Sequence, residues 1–350
     1  MNHPCGAGLR PAKVALFGAG LIGRERLAAI EKLRARGRDI EVCGVYDPYA
    51  ANLANAVEDS EVLFARDPDW VIVATPHDAA PQLCARALRG GCKVLVEKPL
   101  GRNAEEAARI LGASRPGQLW VGFNYRFYPG IAAAIADAAK GTFGPLISVN
   151  MTLGHGCDPN ILKTWKLDPI RAGGGCLIDP GVHLLDLCGL IGPGPLTVSG
   201  GYAWNGFWKT GVEEECRLLL DAGGFPIDLE ISIVRWRSVF RLEIHGQDGY
   251  GIVNGRNRSY GKQTYVRGRR WGWQNGVSQA DSEELVLESA GEDVFADEMD
   301  ALFFGAGRMD TQHALPPCSG VEALETMRLL ERCRERVLAG GSVTLAEATF

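Results

Sequence analysis

Five residues of β character, Lys13 to Phe17, run directly into Gly18-Ala19-Gly20-Leu21-Ile22-Gly23, and a helical pattern follows through about Arg36. Few folds tolerate a strand, a glycine turn and a helix in that order. The first glycine permits the turn, the second lets backbone approach a pyrophosphate, and the third allows close helix–strand packing. The start of the helix then favours an anion. A second strand, Ile40 to Tyr46, ends in Asp47. That spacing suits a carboxylate that binds the adenosine ribose hydroxyls, and its charge repels a 2′-phosphate. Gly18, Gly20, Leu21, Ile22, Gly23 and Asp47 are therefore candidate dinucleotide contacts, with NAD expected before NADP.

The alternation continues. Trp70 to Ala74 is an unbroken apolar run, as a strand buried on both faces should be, and it ends in Thr75-Pro76-His77. A helix over about 80–89 closes on Gly90-Gly91. Lys93 to Val96 is a further strand, ending in Glu97-Lys98-Pro99; a helix over about 104–111 and a strand over 119–123 follow. Ligands of a doubly wound sheet sit at the carboxyl ends of its strands. Thr75, Pro76, His77, Glu97 and Lys98 all fall at such ends, and the proline after Lys98 restricts its backbone. Residues 1–123 thus read as an α/β dinucleotide-binding domain of Rossmann type.

After Asn124-Tyr125-Arg126-Phe127 the character changes. A helix over about 130–140 is followed by strands over 146–153, 196–202, 214–221, 226–234, 238–245 and 250–254. Strands in series predict a second, α+β domain over 124–350 on a large, mostly antiparallel open sheet. Such a sheet needs a cover, and another subunit's sheet would supply one in a homodimer or homotetramer. Two helices close the chain, about 292–304 and 319–338, the second opened by a Ser-Gly-Val-Glu capping-box pattern.

Between those strands lies Gly173-Gly174-Gly175-Cys176-Leu177-Ile178-Asp179-Pro180-Gly181-Val182-His183-Leu184-Leu185-Asp186. Pro180 suits a first helical position and Asp179 an N-cap. Leu184, Leu187, Cys188 and Ile191 form an apolar stripe. Asp179, His183 and Asp186 would share an arc of about 60°, holding an imidazole between carboxylates that raise its pKa. Asp179 could equally be only a cap and His183 only a surface residue.

Composition narrows the partners. With 350 residues and a net charge of −5, the chain is not built to bind nucleic acid non-specifically. The segment 255–276 carries six arginines and lysines among tyrosines and tryptophans. It reads as a solvated loop or as a contact for an anion-carrying substrate such as a sugar nucleotide's diphosphate. The spacing of His155, Cys157 and Asp158 fits no zinc pattern, so no metal is expected. No run approaches a membrane span, and the first dozen residues read as a loose arm rather than a signal peptide. Ten cysteines without a CxxC pair suggest buried thiols in a reducing, cytoplasmic setting.

Three separated motifs now stand in order: Gly18 to Gly23, Glu97-Lys98-Pro99, and the stretch from Gly173 to Asp186. Together they resemble the Gfo/Idh/MocA family of NAD(P)-dependent oxidoreductases, over nearly the whole chain. Gly154-His155-Gly156, Lys163 to Trp165, Phe207-Trp208 and Ser259-Tyr260-Gly261 are similar to its sugar-directed bacterial branch. The resemblance implies that Lys98 hydrogen-bonds the reacting hydroxyl or carbonyl, and that Asp179 and His183 complete the catalytic group, with His183 the first choice of general base. It implies a substrate cleft formed by Lys98, Asn124, Arg126, His155, Trp165, Asp179 and His183. One departure is Thr75-Pro76-His77-Asp78-Ala79-Ala80, which has histidine where asparagine is common and alanine at the usual histidine. The expected activity is oxidation of a secondary hydroxyl of a sugar or sugar nucleotide, or the reverse. An inositol or cyclitol dehydrogenase, an NAD-dependent glycoside hydrolase and a non-catalytic dinucleotide-sensing regulator are the alternatives.

Overall fold

The computed structural model describes residues 10–50, 52–192, 194–289, 291, 293–305 and 315–339. Cys5 and most of the expected N-terminal arm lie outside them, as does residue 292, where the first closing helix was expected to begin.

The first half runs β1 (Ala12–Phe17), α1 (Leu21–Ala35), β2 (Ile40–Tyr46), α2 (Ser60–Ala65), β3 (Trp70–Val73), α3 (Ala80–Arg89), β4 (Lys93–Glu97), α4 (Ala104–Gly112) and β5 (Leu119–Gly122). These strands form a parallel sheet in the order β5-β4-β3-β1-β2. β3 is buried along its whole length, as its apolar run required.

The second half runs α5 (Pro129–Ala139), β6 (Leu146–Gly156), α6 (Pro169–Ala172), α7 (Val182–Ile191), β7 (Thr197–Trp204), β8 (Glu215–Asp221), β9 (Pro226–Ser232), β10 (Val234–Gly246), β11 (Gly249–Asn254), β12 (Gln263–Arg269), β13 (Glu283–Ser289), α8 (Val294–Phe304), β14 (Cys318–Ser319) and α9 (Gly320–Ala339). Eight of its strands make one sheet in the order β13-β12-β11-β10-β6-β9-β8-β7, antiparallel except where β6 meets β9.

Two of these strands depart from the sequence reading. β12 lies within the segment read as a solvated loop or an anion contact, and β13 in residues to which no strand was assigned. Charges at this edge hairpin are paired across it, Arg267 with Glu284 and Lys262 with Glu288. Only alternate residues, Gln263 and Tyr265, are buried, and the Tyr265 hydroxyl donates to Asp137 of α5 at 2.6 Å.

The chain's last elements return to the first sheet. β14 pairs antiparallel with β5, and Ala296 and Met299 of α8 pack among Val14, Leu16 and Ile30. Arg26 of α1 is clasped by Glu97 of β4 and Glu298 of α8, each at 2.6 Å. The capping box of α9 forms as expected: Ser319 N–H donates to Glu322 Oε2 at 2.9 Å, and Glu322 N–H to Ser319 Oγ at 3.3 Å.

α7 needs two corrections. It begins at Val182 after Gly181, not at Pro180, so Asp179 is not its cap. The Asp179 carboxylate is taken instead by two lysines, whose charge-assisted bonds are stronger than a neutral cap. Nor does the helix hold His183 between two carboxylates. The expected apolar stripe is buried, but His183 and Asp186 are buried as well. Asp186 pairs through both oxygens with Arg126, at 2.6 and 2.9 Å, away from the imidazole.

Candidate active site

The glycine turn does three different jobs. Gly18 has φ +88°, and a Cβ there would meet the Ala74 carbonyl oxygen at 2.4 Å. A Cβ on Gly23 would meet the Gly18 carbonyl oxygen at 2.0 Å, so helix and turn touch backbone to backbone. A Cβ on Gly20 would meet nothing within 4 Å. That position is open to an incoming phosphate group beside the uncapped first turn of α1, as a dinucleotide requires. Asp47 lies at the end of β2, next to the turn: it accepts from Ala19 N–H at 2.6 Å and Tyr49 N–H at 2.8 Å.

From the first turn of α1 a cleft of about 420 Å³ runs between the two sheets. Leu21, Ile22 and Glu25 line it together with Lys98, Asn124, His155, Asp179 and His183. Lys98 is placed by the end of β4. Its Nζ donates to Asp179 Oδ1 at 2.5 Å, and Lys166 Nζ donates to Asp179 Oδ2 at 3.0 Å. Burial pushes the Asp179 carboxyl up, but Lys166 and Lys98 outweigh it and hold it well below the usual carboxylate range. The Lys166 ammonium is raised, chiefly by Asp179. Asp179 is thus ionised and shared between two ammonium groups.

His183 stacks on Tyr125, ring centroids 3.9 Å apart and planes 9° from parallel, and meets Phe123 edge-on. Its Nδ1 is buried without a hydrogen-bond partner. Burial, then Lys98 and Arg256, hold its pKa well below the ordinary imidazole value, and Asp179 is too weak to reverse that. This overturns the expectation of a raised pKa. Near neutral pH His183 is therefore an uncharged imidazole.

Known proteins identify the family of the fold. A family model described as an oxidoreductase family with an NAD-binding Rossmann fold matches residues 12–124, and a model of the GFO/IDH/MocA C-terminal domain matches residues 132–251. The chain belongs to the GFO/IDH/MocA oxidoreductase family. Among curated relatives, the levoglucosan dehydrogenase of Pseudarthrobacter phenanthrenivorans is 32% identical over 35% of this chain and 33% of its own length. The 1,5-anhydro-D-fructose reductase of Ensifer adhaerens is 29% identical over 69% of this chain and 75% of its own. The first three curated relatives are matched over only about a third to just over half of their lengths, between 33% and 56%. In three dimensions, a levoglucosan dehydrogenase in complex with NADH superposes with TM-score 0.78 at 18% identity, covering 94% of this chain and 98% of that one. A 3-ketoreductase from Actinomadura kijaniata, KijD10, in complex with NADP and TDP-benzene gives 0.73 at 21%, covering 93% and 98%. At such identities these neighbours share the fold.

The GFO/IDH/MocA scaffold places the remaining candidate residues unevenly. Glu97 lines the cleft, yet its carboxylate is bound to Arg26. Thr75, Pro76 and His77 stand at the end of β3 without lining the cleft. His77 is buried, its Nδ1 lies 2.7 Å from the Ala172 carbonyl oxygen, and burial lowers its pKa to about 4. Trp165 packs edge-on against His77 rather than facing the cleft. Arg126 is turned away altogether, since Asp186 and Glu322 occupy its guanidinium. Gly173 to Gly175 serve close packing. Cβ atoms on Gly173 and Gly175 would meet Arg102 Cβ at 2.5 Å and the Glu213 carbonyl oxygen at 1.9 Å.

Lys166, Tyr125 and Tyr128 line the cleft although sequence reasoning assigned none of them to the site, and Arg256 lines it from the segment read as a solvated loop or an anion contact. Lys166 adjoins the singled-out Trp165, and Tyr125 lies between two candidates, Asn124 and Arg126. Neither has a spacing that marks it. No helix among the described residues is long and apolar enough to cross a membrane, and no group of three or more potential metal ligands occurs among them.

Proposed function

We propose that this chain is an NAD-dependent dehydrogenase that oxidises a secondary hydroxyl of a sugar or sugar nucleotide to a ketone, or runs the reverse reduction. The observation that carries the reading is the Lys98–Asp179 pair with the neutral His183 beside it, in one cleft with the first turn of α1. Gly18, Gly20, Gly23 and the first turn of α1 would hold the pyrophosphate, and Asp47 the adenosine ribose. Bound NAD supplies the hydride acceptor. The protein's own part is positioning and proton transfer. Lys98 Nζ donates to the substrate oxygen and stabilises negative charge on it as the proton leaves. Asp179 keeps that ammonium oriented. His183 accepts the proton on its imidazole, whose neutral form persists at neutral pH.

The names of the relatives support a sugar or cyclitol substrate: they include an inositol 2-dehydrogenase of Rhizobium meliloti, 29% identical over 53% of this chain. We also propose a cytoplasmic homodimer or homotetramer. Nine free cysteines among the described residues suit a reducing compartment, and Tyr202, Trp204 and Leu219 stand exposed on the outer face of the eight-stranded sheet. A screen of free sugars, sugar acids, cyclitols and sugar nucleotides for NADH formation tests the activity. Steady NADH release with one class is the expected result. Binding of NAD without NADH from any class would overturn it.

A further inference from the structure

Arg26 and Arg126 are each buried and each paired with two carboxylates, Glu97 with Glu298 and Asp186 with Glu322. Arg256 is mostly enclosed in the cleft and pairs with no carboxylate among the described residues. It lies among three tyrosines, its guanidinium carbon 3.9 Å from the ring centroid of Tyr260, 4.8 Å from Tyr125 and 5.8 Å from Tyr128. One Nη donates to the Tyr128 hydroxyl at 3.0 Å, and Nε is buried without a partner. Neutral rings stabilise a cation by their faces but do not neutralise it.

The charge around it is unbalanced. Lys98 and Lys166 share a single carboxylate, Asp179, and Arg256 adds a third cation to the same cleft. The other charged residues that line the cleft are matched: Arg258 with Glu25, Lys32 with Asp293, and Glu97 with Arg26. A partly dehydrated excess of positive charge is costly unless a ligand brings the anion. The planar fork of arginine suits a carboxylate or phosphate better than a hydroxyl. Position tells which ligand. Tyr125 separates Arg256 from His183, stacked on the imidazole and under the guanidinium. The cation therefore lies at the substrate end, one ring removed from the proposed base.

We infer that Arg256, aided by Lys166, selects a substrate that carries an anionic group, carboxylate or phosphate, away from the reacting hydroxyl. The inference rests on the dehydrogenase reading above and names its substrate class. The test is NADH formation with matched pairs: a hexuronate against its parent hexose, and a nucleoside diphosphate hexose against the free hexose. In the wild-type protein the anionic member of one pair should be favoured in kcat/KM by roughly tenfold to a hundredfold, the range of a charge-assisted hydrogen bond. In Arg256→Met that ratio should fall at least tenfold, through KM, and Arg256→Lys should recover part of it. Turnover of the hexuronate points to a carboxylate, and turnover of the nucleotide sugar alone points to the diphosphate. A wild-type preference for neutral sugars, or the same ratio in folded, NAD-binding Arg256→Met, overturns the inference. Should the wild type form no NADH from any member, the dehydrogenase reading fails separately. Calorimetric titration of the hexuronate and the nucleoside diphosphate hexose then decides this one, because equal affinity in wild type and Arg256→Met overturns it.

Discussion

Asp179 and Asp186 stand seven residues apart in one stretch, and the tertiary structure gives them opposite tasks. Asp186 meets a guanidinium through both oxygens, and that pair is buried on both sides, with side-chain exposures of 1% and 2%. Asp179 meets two ammonium groups, keeps 23% of its side chain exposed and faces the cleft. The planar fork of arginine closes the Asp186 site, because it holds the carboxylate in a fixed plane, with the Cys318 thiol as its other hydrogen-bonding neighbour. A lysine is a compact charge with three donors on a flexible stem, so Lys98 bonds Asp179 and still has donors for a substrate. An acid in a conserved-looking pattern is therefore not yet a site residue; the cation opposite decides.

The sharpest way to break this comparison is Lys98→Ala. Turnover should drop by roughly 10²- to 10⁴-fold, the range of a positioned acid–base group, with NAD binding kept. A loss below tenfold in steady-state NADH formation would remove Lys98 from the chemistry. The second probe is Arg126→Ala, which strands Asp186 without a partner and should cost about 3–5 kcal/mol in urea unfolding. The folded fraction should keep its turnover within a few-fold. If a fully folded Arg126→Ala protein were inactive, Asp186 and Arg126 would belong to the site after all.

A third probe concerns the charge around Asp179. His77 is held down to about 4, first by burial and then by Lys98 and Lys166, against the Ala172 carbonyl and Asp179. Its folded value lies below the unfolded one near 6.5, so the unfolded chain binds the extra proton between those values. The stability it contributes is intact above about pH 6.5 and is lost as the pH falls towards 4, to the extent of about 3 kcal/mol. His77→Asn, which keeps a donor for the Ala172 carbonyl, should flatten that acid limb in urea titrations at pH 7, 5.5 and 4. An unchanged limb would show that His77 is solvated in solution. The smallest effect belongs to the rim: Arg258→Ala removes an exposed pair with Glu25 and should change stability by at most about 1 kcal/mol. A larger loss in thermal melts would mean that this rim pair is shielded from solvent.

Much of the scaffold was legible along the chain. β1, the glycine turn and α1 are encoded within about two dozen consecutive residues, because turn geometry and strand burial are local requirements. β3 announced itself as an unbroken apolar run. β12 and β13 did not, since each mixes charged with apolar residues and only the ladder that joins them to β11 makes them part of the sheet. The site divides in the same way. Lys98, Asp179 and His183 belong to motifs with recognisable spacing. Lys166, Tyr125 and Arg256 come from three further segments, and their meeting around Asp179 and His183 is a product of the fold.

By itself, the sequence determined that a dinucleotide-type α/β unit precedes a large antiparallel sheet, and that Lys98 ends a buried strand. Glycine conformation, apolar periodicity and strand length act over a few residues, so they are readable in one dimension. Only the tertiary structure decided that Asp179 takes lysines rather than capping α7, that His183 is neutral, and that Arg256 has no carboxylate among the described residues. Those outcomes depend on desolvation and on which charges lie within a few ångströms, and both are set by segments up to about 160 residues apart in the chain.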